Sequence, residues 1–176
     1  MVNERPRTFV VLVEDVPGVL DRVASLFRRR GYNIESLSVG HTDRDGVSHI
    51  TVVMNADDRT AALVEANLYK VVQVLEVKDV SNLPSVVRDL ALIKVRADHK
   101  SRAEILQVAE VFRARVVDVS PEALIFEITG SEDKINSLVD VLRPFGILEM
   151  VRTGRIALLR GSSMSADVAV GETQAN

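Results

Sequence analysis

Apolar and polar positions follow a regular pattern along the chain, and the pattern predicts strands and helices in a definite order. The run Thr8–Val13 is apolar and β-branched and is followed by turn residues, which indicates a buried strand. The next segment carries apolar residues at the spacing of one helical face: Leu20, Val23, Ala24 and Phe27. Gly31 then predicts the end of this helix, because glycine is typical of helix C-termini.

The chain from residue 33 to residue 80 completes a first unit. Residues 33–42 and 47–56 alternate in polarity and predict two strands, joined by the Asp-Gly turn at 41–46. Residues 57–70 predict a second helix, which begins with acidic residues and buries one face: Ala61, Val64 and Leu68. Residues 71–80 predict a fourth strand, so the order is βαββαβ.

The same order of elements is predicted a second time. Residues 89–98 read as a strand, and a helix follows with its apolar face at the spacing of the first: Ile105, Val108, Ala109 and Phe112. Two strands, 115–120 and 123–130, flank a Ser-Pro turn, and Ser131 predicts the N-cap of a helix that buries Ile135, Leu138 and Leu142. Residues 146–160 predict one closing strand.

Two units of this kind predict an α+β protein with tandem ferredoxin-like βαββαβ domains. We assign residues 1–81 to the first domain and residues 82–161 to the second, with Asn82–Ser85 as the linker. Residues 162–176 are small and polar and are expected to be a disordered tail.

Composition narrows the classes of function. The chain has 176 residues, 47% hydrophobic and only 4% aromatic, so its cores must depend on aliphatic side chains. A net charge of −3 argues against nucleic-acid binding, which needs a concentrated positive field. Without cysteine there are no disulfides or thiolate sites. No apolar run is long enough for a membrane span, and a cytoplasmic location is expected.

The sequence offers little for covalent chemistry. His41, His49 and His99 are not at metal-ligand spacing, and neither a nucleophile elbow nor a phosphate-binding loop is present. We interpret the three histidines as ordinary surface or strand residues. Arg28–Arg30 reads as the solvated last turn of a helix, where cations suit the helix dipole, although it is also a small basic patch.

The turn Asp15–Gly18 allows two interpretations. It can be a plain helix start, with Asp15 as the cap, Pro17 in the first turn and Gly18 relaxing the backbone. It can also be a ligand site, since free N–H groups at a helix N-terminus hold a carboxylate and Gly18 permits close approach. Asp15 would then bind an ammonium group. A site that binds a carboxylate and an ammonium group side by side suits a free α-amino acid.

Comparison of the two units favours a ligand in the first. Phe112 lies 85 residues after Phe27, and the same offset places Lys100–Ala103 opposite Asp15–Gly18. The second unit keeps the packing face of the helix but lacks the Pro-Gly turn, so the fold alone does not require that turn.

Several segments resemble one known family. The stretch LVEDVPGVLDRVASLFRRRGYNIESLSVGHTD resembles the start of an ACT domain, and GVLDRVASLFRRRGYNIESLSV resembles more closely the regulatory small subunit of acetohydroxyacid synthase (acetolactate synthase). ALIKVRA, EVFRARVVDVSPEALIFEITG and VRTGRIALLRG resemble the second domain of that family. The resemblance covers residues 7–161, and it implies an ACT domain followed by a second ACT-like domain.

The resemblance implies a non-catalytic subunit in branched-chain amino acid biosynthesis. Members of this family bind the catalytic large subunit, raise its activity and make it sensitive to feedback inhibition by valine. The large subunit carries thiamine diphosphate, FAD and magnesium, so this chain is expected to bind no cofactor.

The resemblance also implies where L-valine binds, at the interface of two ACT domains in a homodimer. One chain contributes the loop that opens the first helix, which here holds Asp15, Val16, Pro17, Gly18, Val19 and Leu20. The other contributes the start of the second strand, here Asn33 and Ile34. Some relatives have asparagine at the position of Asp15; a carboxylate there favours the ammonium of the ligand and repels its carboxylate.

Other classes of function fit less well. A stand-alone ACT regulator of transcription would need a DNA-binding helix-turn-helix, for which the two units leave no room. A small enzyme would need a catalytic cluster that the sequence does not show. An assembly protein without a ligand remains an alternative, as does a stand-alone amino-acid-binding ACT regulator.

Overall fold

The computed structural model describes residues 4–161 and contains strands and helices in the predicted order. In the first half these are β1 (Arg5–Glu14), α1 (Val19–Arg30), β2 (Ser36–His41), β3 (Val47–Ala56), α2 (Asp58–Leu68) and β4 (Val74–Asp79). In the second half they are β5 (Ser85–Arg96), α3 (Arg102–Val111), β6 (Arg115–Val119), β7 (Ala123–Gly130), α4 (Glu132–Leu142), a 3₁₀ turn (Arg143–Phe145), β8 (Ile147–Arg152) and β9 (Ile156–Leu159). The expected tail, 162–176, lies outside the described residues.

The two sheets have the same topology. The first has the order β2-β3-β1-β4, and the second has β6-β7-β5-β8, with β9 also paired to β5. Neighbouring strands are antiparallel wherever their register is defined. Each βαββαβ unit therefore places its first and third strands in the middle of the sheet, as in a ferredoxin-like fold. The predicted fold class is confirmed.

Each unit has its own hydrophobic core. The chain divides into one compact unit formed by residues up to Val86 together with the segment from Ala157, and another formed by Val87–Ile156. The first core centres on β1, β3 and the inner faces of both helices: Phe9, Val11, Val13, Val23, Phe27, Ile50, Val52, Met54, Val64 and Leu68. The second uses the equivalent elements: Ala91, Ile93, Val95, Ile105, Leu124, Phe126, Ile128, Ile135, Leu138 and Leu142. The domain limits drawn from the sequence stay a prediction.

Helix α1 is predicted correctly in type and length, but its buried face is rotated from the predicted one. Its buried residues are Val19, Val23, Leu26 and Phe27. Leu20 is 39% exposed, so its place on the packing face was predicted wrongly, whereas Ala24 is partly buried at the edge of that face. Gly31 ends the helix as predicted, with φ of 69° and its N–H donating to the carbonyl of Arg28 at 3.1 Å.

The single closing strand predicted at 146–160 is wrong, because the chain breaks it into β8 and β9. The break begins at Thr153. Its N–H donates to the carbonyl of Leu90 at 2.9 Å, while its hydroxyl accepts the N–H of Leu90 at 3.0 Å. The hydroxyl thus takes the hydrogen bond that a backbone carbonyl would accept in a continuous ladder.

A buried ion pair ties β5 to β8 in the second unit. The side chain of Asp89 is 7% exposed, and its Oδ2 accepts from Nε and Nη2 of Arg152 at 3.0 and 2.6 Å. Nη1 of Arg152 donates to Oδ1 of Asn136 on α4 at 2.9 Å. The guanidinium therefore joins two strands and one helix through charge-assisted hydrogen bonds.

Candidate functional site

The candidate site is the loop Asp15–Gly18, which connects β1 to α1. The N–H of Asp15 donates to the carbonyl of Gly46 at 2.8 Å, so the hairpin turn after β2 supports the loop. The N–H of Val16 donates to the carbonyl of Glu14, and the N–H of Val19 donates to the carbonyl of Val16. These bonds hold the loop in a tight, fixed turn.

Helix α1 begins at this loop without a side-chain cap. Its N-cap residue is Gly18, with φ of 84°, and no side chain accepts a hydrogen bond from the first turn. The interpretation of Asp15 as the cap was therefore wrong, and Pro17 lies outside the helix. The first N–H groups of a helix lack intrahelical partners, so an uncapped start leaves donors available to an anion.

Gly18 is required for its backbone conformation, and the space beside it is open. Apart from Gly18 and its two chain neighbours, no residue has an atom within 4 Å of the position that a Cβ would occupy. A positive φ favours glycine, while asparagine and aspartate adopt it more readily than other residues do. A small ligand can thus reach the helix start from this side.

Asp15 contacts a residue that sequence reasoning left aside. Nδ1 of His41, the last residue of β2, lies 3.1 Å from Oδ2 of Asp15. The side chains are 85% and 44% exposed, so the pair lies at the surface. The other carboxylate oxygen of Asp15, Oδ1, has no hydrogen-bond partner among the described residues. It can therefore accept a hydrogen bond from a ligand.

The order of the strands in the sheet explains why Asp15 and His41 lie close together. Strands β1 and β2 both run antiparallel to β3, and therefore parallel to each other. Ser48 pairs with Val13 on one side and with His41 on the other. Any βαββ unit brings these two strand ends to the same end of the sheet.

Two apolar side chains border the loop. Val16 and Leu20 are 40% and 39% exposed, whereas Val19 between them is buried in the core. The exposed pair offers an aliphatic surface beside the helix start and the Asp15 carboxylate.

In the second unit the corresponding helix, α3, also begins without a side-chain cap, but a carboxylate holds the turn before it. Oδ1 of Asp98 accepts from the N–H groups of Lys100 and Ser101 at 2.9 and 2.8 Å, and from the hydroxyl of Ser101 at 2.8 Å. The hydrogen bonds from Ser101 hold the pKa of Asp98 below its ordinary value. The Asp98 carboxylate thus occupies N–H groups of the turn before α3 and not those of the first helical turn.

Asn33 and Ile34 lie far from the loop of their own chain. They precede β2 rather than forming its start, so their assignment to the strand was wrong. Ser36 aligns with Val53 and Thr8, whereas His41 aligns with Ser48 and Val13. Five residues of strand, about 17 Å, separate these levels, so one chain holds the two halves of the predicted site at opposite ends of its sheet.

Asn33 is exposed, and its Nδ2 donates to Oε1 of Glu35 at 2.6 Å. Strand β2, which follows, is at the edge of the first sheet. A strand edge offers unpaired backbone donors and acceptors to another chain.

Within residues 4–161, no three histidine or acidic side chains come together in an arrangement that could hold a metal ion. Within the same range, no helix has the length and apolar character needed to cross a membrane.

Tandem ferredoxin-like units, the first with an open, uncapped helix start beside an edge strand, define a protein of the ACT-domain class. Residues 9–76 match the family model described as the AHAS small subunit-like ACT domain, and residues 88–161 match the model described as the small subunit of acetolactate synthase. The chain belongs to the acetolactate synthase small-subunit family, and the resemblance of its sequence to that family is confirmed.

Individual relatives agree over nearly their whole length. The chain is 48% identical over 155 residues to the probable acetolactate synthase small subunit of Archaeoglobus fulgidus, covering 88% of this chain and 97% of that one. It is 46% identical over 160 residues to the acetolactate synthase small subunit of Mycobacterium bovis, covering 91% and 95%. The crystal structure of the small subunit from Thermotoga maritima aligns with a TM-score of 0.84 and 40% identity, covering 89% and 98%.

Proposed function

We propose that this chain is the non-catalytic regulatory subunit of acetolactate synthase. It binds the catalytic large subunit, raises its activity and makes it sensitive to feedback inhibition by valine. Membership of the small-subunit family along both units supports the role. In this proposal the large subunit carries thiamine diphosphate, FAD and magnesium, and this chain binds no cofactor.

The uncapped start of α1 beside Asp15 carries the assignment of an amino-acid site. The ligand carboxylate binds the free N–H groups of the first helical turn, next to Gly18. Its ammonium group binds Oδ1 of Asp15, while His41 holds Oδ2. The exposed side chains of Val16 and Leu20 contact the aliphatic side chain of valine.

A homodimer completes the site. Because one chain holds Asn33 and the Asp15–Gly18 loop at opposite ends of its sheet, its own Asn33 cannot reach its own loop. Antiparallel pairing of two β2 edges about a two-fold axis brings the start of β2 in one chain to the end of β2 in the other. Asn33 and Ile34 of one protomer then face the loop of its partner, and the dimer has two equivalent sites.

Valine acts by favouring one arrangement of this dimer. A ligand moves such an equilibrium only through its different affinities for the two states. A coupling free energy of about 1–3 kcal/mol changes the affinity or activity of the partner by roughly 5–150-fold. Valine contacts both protomers at once, so any rearrangement of the β2 edges changes its contacts.

Titration of the purified chain with L-valine tests the proposed site. We expect saturable binding of L-valine and none of D-valine, because the carboxylate, ammonium and side-chain contacts fix one stereochemistry. One methylene is worth roughly 1–3 kcal/mol in such a pocket, so leucine and isoleucine bind more weakly, by about tenfold or more. Tighter binding of leucine than of valine would contradict the valine assignment.

A negative titration is followed by the same titration of the complex with the large subunit. Binding there places the sensor at a site that the large subunit stabilises. No heat in either titration would contradict valine sensing and favour the ligand-free assembly protein.

A further inference from the structure

The first unit has a concave surface between α1 and the turn that joins α2 to β4. It is a groove of about 350 Å³. Its lining comes from one face of α1 and from the turn: Asp21, Arg22, Ser25, Arg29, Lys70, Val71, Val72 and Gln73. None of these residues belongs to the proposed valine site.

The groove carries an excess of positive charge. Arg22, Arg29 and Lys70 face a single carboxylate, that of Asp21. Neither Arg22 nor Arg29 forms an ion pair or side-chain hydrogen bond within the described part of the chain. Lys70 donates to Oδ1 of Asn67 at 3.1 Å, which leaves its charge uncompensated. Unpaired guanidinium groups are suited to binding carboxylates.

Gln73, Val71 and Val72 complete the lining of the groove beside these cations. Val72 is 86% exposed and adds an apolar contact.

These features together favour a peptide over a free phosphate. A phosphate would satisfy the cations but would leave the exposed side chain of Val72 without an apolar contact. An acidic peptide brings carboxylates, backbone N–H groups and apolar side chains in one ligand. Arg22 and Arg29 are seven residues apart, about 10.5 Å along the helix, so a ligand that contacts both cations must extend over about that length.

We propose that this groove binds an extended acidic segment of the catalytic large subunit. The proposal rests on the proposed function, because it takes the large subunit as the partner. It assigns the contact to the exposed face of α1 and leaves the β2 edge for the second copy of this chain.

The groove is also physically connected to the valine loop. The backbone carbonyl of Gln73 accepts the N–H of Glu14 at 2.9 Å, and Glu14 directly precedes the loop. Arg22 lies one turn after Gly18 on α1, and its N–H donates to the Gly18 carbonyl at 3.1 Å. One backbone hydrogen bond thus links the groove to the residue before the loop, and another links it to the residue at the start of α1.

Charge reversal at one groove position tests the proposal. Arg29→Glu is expected to weaken binding of the large subunit by at least about tenfold, because like charges then face each other across the interface. Arg28→Glu is the matched control, since it reverses the same charge in the same helical turn, outside the groove. We expect Arg28→Glu to stay within about threefold of the wild type. The affinity is measured by titration of the large subunit at several salt concentrations, and the difference between the variants narrows as salt screens the charges.

The outcomes separate this proposal from the proposed function. If the wild-type chain does not bind the large subunit, the proposed function fails and the groove assignment fails with it. If the wild type binds and Arg29→Glu binds as tightly as Arg28→Glu, only the groove assignment is overturned. Saturable binding of inorganic phosphate that Arg29→Glu abolishes, with unchanged affinity for the large subunit, would also overturn it. A circular dichroism spectrum of Arg29→Glu that matches the wild type shows that the variant is folded.

Discussion

Gly18→Asp is expected to abolish valine inhibition of the reconstituted enzyme while this chain still activates the large subunit. Aspartate adopts a positive φ more readily than most residues, and apart from the adjacent residues nothing lies within 4 Å of the new Cβ, so we expect the unit to fold with some backbone strain. The added carboxylate lies beside the donors that receive the ligand carboxylate. Two such charges 4 Å apart repel by about 4 kcal/mol at an effective dielectric constant of 20. One third of this repulsion energy is enough to weaken valine binding roughly tenfold.

Gly18→Asn is the matched control, because it has the same shape and a similar backbone preference without the charge. We expect Gly18→Asn to bind valine more tightly than Gly18→Asp does. The measurement is acetolactate formation by the large subunit with each variant, as a function of L-valine concentration. Equal inhibition of the Gly18→Asp and wild-type complexes would exclude the helix start as the carboxylate site.

Asp89→Ala is expected to lower the free energy of unfolding of the second unit by about 3–5 kcal/mol. Removal of one partner from a buried ion pair leaves the other charge without compensation, and Arg152 would then lie partly buried against Asn136 alone. Asp140→Ala provides the comparison. Asp140 pairs with Arg143 at 3.3 Å, but both side chains are about 70% exposed, and such pairs contribute about 0–1 kcal/mol.

Urea unfolding followed by circular dichroism measures both variants. The account predicts a large decrease in the midpoint for Asp89→Ala and almost none for Asp140→Ala. If both variants lowered the urea midpoint by a similar small amount, water would be solvating the charge of Arg152. The ion pair would then not stabilise the pairing of β5 with β8.

The fold was largely predictable because apolar spacing reports the period of each element. Strand β1 and helix α2 were found from such patterns, and the repeat of the order revealed the second unit. The pattern was less informative where one residue decides the outcome. Leu20 has the same spacing as its buried neighbours, but the actual burial angle of α1 exposes it. The strand break at Thr153 depends on a hydroxyl that replaces a carbonyl, which apolar periodicity does not detect.

The candidate site was only partly predictable from the sequence. The Pro-Gly turn identified the loop, since two internal repeats differ there. The contact between Asp15 and His41 depends on strand order, and the two residues are distant in the sequence. The basic groove is missed for the same reason: Arg29 and Lys70 come from separate elements that only the fold brings together.

A site shared between two protomers is the central claim of this account, and mixed dimers test it most directly. Gly18→Asp and Asn33→Asp should each prevent L-valine binding in a dimer of one variant. Co-expression with two different affinity tags allows the mixed dimer to be isolated. In that dimer one site carries both substitutions and the other site carries neither. We therefore expect the mixed dimer to bind about one L-valine, at the unsubstituted site. A mixed dimer that binds no L-valine, like its parents, would show that Gly18 and Asn33 do not meet across a two-fold interface.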